Sequence, residues 1–359
     1  MVHTAIKRAF SIAKINKILI TTVWLILFLA LAVRVLAADG EISVQGNKIL
    51  RDGKPWIAKG VTIVGVVAPE KRLGGPYVQA HKFFGPTELD AAKQYGADLI
   101  RFQVSQAGSD RQSEIYSDEY PNAVKLAVAL ARSKGFSVIV SLQSQPPSGV
   151  KETGMPSDKS VRAWQSLAPL FADDRGVMLE IFNEPSPEGP EATPSHDWDT
   201  WRQRMQPIVD EIRRHGGRNV LLLDGLFWAQ MLDGAPRLND PLGQIVYAEH
   251  PYISPRLHNR QDWDHMFGNF ASNHPVMVTE WNATGRKNCT EAIPQWAADM
   301  VAYVRDHQIG LVGWAFDLPG TLIANFDWSL TNYNGFYCGP DTRFGAGELI
   351  HGYFSTRAN

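Results

Sequence analysis

Short apolar runs recur along the chain, separated by stretches with helical period. The runs are "WIAKGVTIVG" (56–65), "ADLIRFQVS" (97–105), "FSVIVSLQ" (136–143), "VMLEIFNE" (177–184), "VLLLDG" (220–225), "QIVYAEHPY" (244–252), "PVMVTEW" (275–281) and "LVGWAFD" (311–317). Nearly continuous Val, Ile and Leu is the pattern of strands buried on both faces. Between them, "TELDAAKQYG" predicts a helix capped by Thr87 and ending at Gly96, and "NAVKLAVALARSKG" one ending at Gly135. "DWDTWRQRMQPIVDEIRRHGG" predicts an amphipathic helix with basic residues near its C-terminus, and "PQWAADMVAYVRDHQIG" one closing at Gly310. Eight buried strands alternating with helices over about 320 residues predict an α/β fold, a (β/α)8 TIM barrel. An open doubly wound sheet is the alternative, but no G-x-G-x-x-G or G-x-x-x-x-G-K-[ST] follows a strand. Ahead of the barrel, "EISVQGNKILRDGKPW" predicts a short β-hairpin turning at Gly46-Asn47, with a second turn at Asp52-Gly53. "VVAPEKRLGGPYVQAHKFFGP" reads as a long Gly/Pro-rich connection forming part of a binding wall.

The N-terminus is a separate object. A basic stretch with Lys7, Arg8, Lys14 and Lys17 precedes the apolar "ILITTVWLILFLALAV" and the small residues Ala37 and Ala38. This is the build of a secretory signal, and a run of about 16 residues is short for a bilayer span. Residues 1–38 are therefore expected to be a signal peptide, cleaved after Ala37 or Ala38, with an uncleaved anchor as the alternative. Residues 39–359 are expected to form one catalytic domain, secreted or periplasmic and monomeric, without a stable membrane partner once the signal is removed. Outside a reducing cytosol the two cysteines, Cys289 and Cys338, are expected to pair as a disulfide. Composition excludes little else. Hydrophobic residues make up 44 %, enough for a large core, and a net charge of −2 gives no electrostatic case for nucleic acid.

In such a barrel the active site lies at the C-terminal ends of the strands, so the residues ending each run are informative. They include Arg101, Asn183 and Glu184, His250 and Tyr252, Glu280 and Trp281, and Trp314 and Asp317. A pair of glutamates without a metal-ligand cluster is the apparatus for breaking a glycosidic bond: one protonated to release the leaving oxygen, the other ionised. Proximity to an ionised Glu280 is expected to raise the pKa of Glu184. Arg101 and Tyr252 suit the task of keeping Glu280 ionised, and Trp314 offers a ring face to a sugar. Trp228, Trp263 and Trp281 could be platforms or packing. No G-x-S-x-G and no H-E-x-x-H occurs, and no metal or other cofactor is implied.

With those residues assembled, "FNEP", "EHPY" before "VTEWNA", "LIRFQV" and "GWAFD" resemble the strand-end motifs of clan A glycoside hydrolases, and of glycoside hydrolase family 5, the cellulase family, over roughly residues 40–355. The resemblance implies a retaining mechanism with Glu184 as acid/base and Glu280 as nucleophile. It further implies that Asn183 holds the sugar 2-hydroxyl, Arg101 and Tyr252 orient Glu280, His250 contacts substrate, and Trp314 floors the subsite beside the cleavage point. One position departs: family members usually end the third strand in Asp-x-His, whereas this chain has Ser141 and Gln143, an amide that donates a hydrogen bond but carries no charge. The expected activity is cleavage of a β-linked polysaccharide or oligosaccharide, endo-β-1,4-glucanase first. β-Mannanase, other β-glucanase or transglycosylase action, or a non-catalytic carbohydrate-binding barrel, are the alternatives.

Overall fold

The computed structural model describes residues 40–186, 194–253, 257–283, 293–328, 333 and 345–356. The expected signal segment and both cysteines lie outside them. Strands β1 (Ile42–Gln45), β2 (Lys48–Arg51) and β3 (Lys54–Pro55) form a small antiparallel sheet with both turns where the sequence places them. The hairpin thus gains a third short strand.

Eight parallel strands then close into a barrel. They are β4 (Lys59–Ile63), β5 (Leu99–Ser105), β6 (Ser137–Gln143), β7 (Val177–Glu180), β8 (Leu221–Asp224), β9 (Ile245–Glu249), β10 (Val276–Trp281) and β11 (Gly310–Gly313), with β11 pairing back onto β4. The helices include α1 (Pro76–Phe83), α2 (Pro86–Gln94), α3 (Glu119–Ser133), α4 (Asp158–Leu167), α5 (Pro194–Arg214), α6 (Ile293–Asp306) and α7 (Gly347–Ser355). Three sequence expectations need correction. The long first connection contains α1, started by Pro76 after a left-handed Gly75. Helix α2 begins at Pro86, whose fixed φ suits the first helical position, so Thr87 lies inside the first turn and is not the cap. Helix α6 ends at Asp306; Gln308 takes the left-handed conformation (φ 56°), and Gly310 opens β11, where an added Cβ would sit 3.0 Å from that of Ala58.

Period two along the strands builds the site. Leu99, Ile139, Met178, Leu222, Ala248 and Met277 form a lower apolar layer, and Ile42 and Ile49 of the small sheet pack onto it, closing the barrel floor. Two residues further along, the same strands carry Arg101, Ser141, Glu180, Asp224, His250 and Thr279, all fully buried. The lumen is thus apolar below and polar above. Tryptophans on the helices pin this upper rim: Trp164 Nε1 of α4 donates to the Ile181 carbonyl (2.8 Å) and Trp201 Nε1 of α5 to the Asp224 carbonyl (2.9 Å).

Candidate active site

Arg101 is the hub. Its guanidinium donates from Nε to Glu180 Oε2 (2.6 Å), from Nη1 to Glu280 Oε2 (2.7 Å), and from Nη2 to Asn183 Oδ1 (2.6 Å), Ser141 Oγ (3.0 Å) and Glu180 Oε1 (3.1 Å). A buried cation is costly unless paired and fully bonded, and this fork is. Arg101 in turn holds the Glu180 carboxylate far below its ordinary value despite burial, so Glu180 is ionised.

Glu280 accepts from three donors: Arg101, Gln103 Nε2 (3.0 Å) and Tyr252 Oη (2.9 Å). Glu280 and Thr279 are sequence neighbours, yet both reach the network, because the register of β10 against β11 shifts between Val278 and Trp281. Glu184 follows β7 in a left-handed conformation (φ 54°), its backbone N–H donating to Asp224 Oδ2 (2.9 Å). Its Oε2 accepts from Gln145 Nε2 (2.7 Å) and its Oε1 lies 3.1 Å from His250 Nδ1. Oxygens of Glu184 and Glu280 and a nitrogen of His250 lie within 4.8 Å of one another.

The protons follow from these contacts. Thr279 Oγ1 must donate to the ionised Glu180 (Oε1, 2.9 Å), so it can only accept from His250, whose Nε2 lies 3.0 Å away. Nε2 is therefore protonated, and His250 Nδ1 and Glu184 Oε1 share one further proton between them. Burial works against a charged His250, but the nearby carboxylates of Glu180 (3.6 Å) and Glu184 (3.1 Å) outweigh that and push its pKa well up. Burial alone would raise Glu184; the bond and charge of His250, with the Gln145 amide, hold it below its ordinary value instead. This corrects the sequence expectation for Glu184. The like-charge penalty falls on Glu280, which burial and Glu184 push up while Arg101, His250 and Tyr252 pull it down. Asp224 is pushed well up by its burial and by the neighbouring Glu180 carboxylate.

The structure thus brings Arg101, Asn183, Glu184, His250, Tyr252 and Glu280 into one network. Gln143 stands at its edge, buried, with Nε2 donating to Ser141 Oγ (3.1 Å). Trp314 is half-buried, packs in a small cluster with Tyr77 and Leu73, and its peptide bond to Ala315 is cis. Trp263 and Trp281 are core residues. Trp228 is 54 % exposed and sits within three consecutive left-handed residues, Phe227, Trp228 and Ala229. Such a run costs about 1–2 kcal/mol per residue, and it presents the ring to a cleft of 410 Å³ lined also by Glu184, Gln145, Thr153 and Ser186. Sequence reading missed Glu180, Asp224, Gln103, Thr279 and Gln145. For the first four the signal was available, since each lies one strand period from, or at, a position that faces the lumen.

Two triads, Glu180–Asp224–His250 and Glu184–His250–Glu280, have the spacing of metal ligands. They fit a cation poorly: their donor atoms bond to one another, and the Arg101 guanidinium already neutralises Glu180 and Glu280.

Asp317, expected to face the same cavity, instead accepts from the backbone amides of Val64 (2.8 Å) and Gly65 (2.7 Å), tying the last strand to the first. Burial pushes its pKa to about 7, and the fully buried Glu88 of α2 lies near enough for the two to titrate together. The folded state therefore holds this proton more tightly than the unfolded chain, where Asp titrates near about 4. The stabilisation is complete below that pH and is lost as pH rises through about 7. Urea midpoints of Asp317→Asn should accordingly fall less between pH 5 and pH 8 than those of the parent. Equal slopes would exclude this role.

Residues 79–318 match the cellulase family, glycosyl hydrolase family 5. A cellulase from Thermoanaerobacterium sp, CelDZ1, is 22 % identical over 42 % of this chain and 41 % of its own length. A manganese dependent endoglucanase from Phanerodontia chrysosporium, Eg5A, is 27 % identical over 39 % of this chain and 38 % of its own. The chain thus spans about two fifths of the curated relatives it matches. The β-glucanase SdGluc5_26A from Saccharophagus degradans, solved with cellotetraose, superposes with a TM-score of 0.66 at 20 % identity, covering 88 % of this chain and 93 % of that one. The chain belongs to the cellulase family, glycosyl hydrolase family 5.

Proposed function

We propose that this chain is an exported, retaining β-glycosidase that cuts β-1,4-glucan internally. One observation carries the reading: a Glu184 oxygen and a Glu280 oxygen lie within 4.8 Å. Retaining enzymes hold their two carboxyl groups about 5–5.5 Å apart, whereas inverting enzymes leave about 6.5–9.5 Å for a water. Glu280, oriented by Arg101, Gln103 and Tyr252, attacks the anomeric carbon as the bond to the leaving oxygen breaks, and that oxygen takes the proton shared by Glu184 and His250. Water then attacks the same carbon, gives a proton to Glu184, and frees the Glu280 carboxylate. Asn183 and Trp314 hold the sugar at the reacting centre, and Gln143 supports Ser141 and Arg101 at its edge. The exposed Trp228 ring is a platform for the leaving sugar.

The glucan assignment is supported by the family and by the relatives named as cellulase and endoglucanase. Export is supported by the basic, apolar and small-residue order of residues 1–38, with residues 39–359 as a single catalytic domain. In an oxidising compartment Cys289 would pair with Cys338. The test is a panel of β-1,4-glucan, β-mannan and β-1,3/1,6-glucan, with product sizes and the anomer first released read by NMR. Short oligosaccharides released as the β-anomer from β-1,4-glucan are expected. An α-anomer, or no cleavage of any β-linked polymer, would overturn the proposal.

A further inference from the structure

We infer that Gln145 is a positioning residue that sets the acidity of Glu184. The inference rests on Glu184 being the acid/base. Both of its carboxyl oxygens are held from the protein side, and the two holders differ in kind. His250, wholly buried, meets Oε1 through a nitrogen that can give or take a proton. Gln145, on the loop after β6, meets Oε2 at 2.7 Å through a primary amide. An amide N–H donates but never surrenders its proton under these conditions. It therefore favours the ionised carboxylate without competing for the proton that Glu184 and His250 share, and its bond acts in one direction only.

Placement makes that bias useful. Gln145 lines the same 410 Å³ cleft as Glu184 and Trp228, the cleft to which the proposed function assigns the leaving sugar. The backbone of Glu184 is fixed independently by Asp224 and by its left-handed conformation. With the main chain fixed there, Gln145 and His250 between them determine the plane of the carboxyl group. A stronger acid releases its proton to the leaving oxygen more readily. The same bond makes Glu184 a weaker base in the second half of the reaction, so Gln145 trades the second step for the first.

The experiment replaces the donor without changing size, Gln145→Met, and then with a like charge, Gln145→Glu. In kcat/KM on a β-1,4-glucan oligosaccharide, the alkaline limb reports loss of the shared proton in the free enzyme. That limb should move up by roughly one to two pH units in Gln145→Met, the worth of one hydrogen bond to a charged group, and further in Gln145→Glu. The acid limb of kcat on a dinitrophenyl glycoside, where Glu184 must act as base, should move up with it. A limb unmoved or moved down in both variants, whatever the loss of rate, would overturn the inference; a purely structural role lowers the rate at every pH alike. Azide rescue of Glu184→Ala, run alongside, separates the two levels. If rescue succeeds while the limbs stay put, only the role of Gln145 falls; if rescue fails, the reading of Glu184 falls with it.

Discussion

Given a dinitrophenyl β-glycoside and azide, Glu184→Ala should turn over and release a β-glycosyl azide, while Glu280→Ala should release none. The dinitrophenolate leaves without protonation, so the first step survives loss of the acid. On the proposed roles the Glu280 ester should then accumulate, because nothing activates water. Azide needs no base, attacks the ester from the face opposite Glu280, and restores the original configuration. General acid–base help is worth about 10²–10⁴-fold, so natural glucans, whose leaving groups need the proton, should lose at least that much in Glu184→Ala. In Glu280→Ala no ester can form, and every substrate should stall. The geometry also limits the damage. Glu184 is bonded on both oxygens but is not part of the Arg101 fork, so its truncation leaves the bonds of Arg101 to Glu180, Glu280 and Asn183 intact. An azide product of inverted configuration, or rescue in Glu280→Ala but not in Glu184→Ala, would mean that the two roles are exchanged.

The parts of this site that could be read from sequence, and those that could not, differ for physical reasons. Strand ends were legible because buried parallel strands are apolar throughout, so a carboxylate or guanidinium such as Glu184, Glu280 or Arg101 stands out against its run. The barrel followed from the same runs and their spacing. Glu180 and Asp224 went unread although they sit in two of those runs. Glu180 closes β7 four residues before the more conspicuous Glu184, and Asp224 closes β8 just before Gly225; stepping up from Met178 to Glu180, or from Leu222 to Asp224, shows the layer directly. Gln145 and Trp228 belong to loops, where no period relates neighbours and backbone conformation decides what a side chain meets. The pKa of Glu184 depends on His250 and Thr279, residues 66 and 95 positions further along the chain. Only the closed barrel brings them together, and charge pairing across it reversed the direction expected from the two glutamates alone.

Arg101→Leu should be the most damaging single substitution in the barrel. It removes five hydrogen bonds and leaves Glu180 and Glu280 buried without their cation. Breaking a buried ion pair by deleting one partner typically costs about 3–5 kcal/mol, against a total stability of about 5–15 kcal/mol for a folded protein. The loss should depend on pH in a defined sense. In the parent, Glu180 is held below its ordinary value, so its contribution is present above the unfolded pKa and fades as pH falls through the folded one. In the variant the two orphaned carboxyls take up protons instead. The stability gap, read from urea midpoints, should therefore be widest near neutrality and narrow toward pH 4. Adding Glu180→Leu removes one of the stranded charges and should recover part of the stability, since apolar replacement of both members of a buried pair is often neutral or better. Activity should not return with it. Glu280 would still lack the donor that fixes its Oε2, and Asn183 would still lack the Nη2 contact that holds its amide. Recovery of stability without recovery of kcat would separate the two tasks of one guanidinium: compensating buried charge, and aiming the carboxylate proposed to attack. A double variant as active as the parent would show that Arg101 serves only the first.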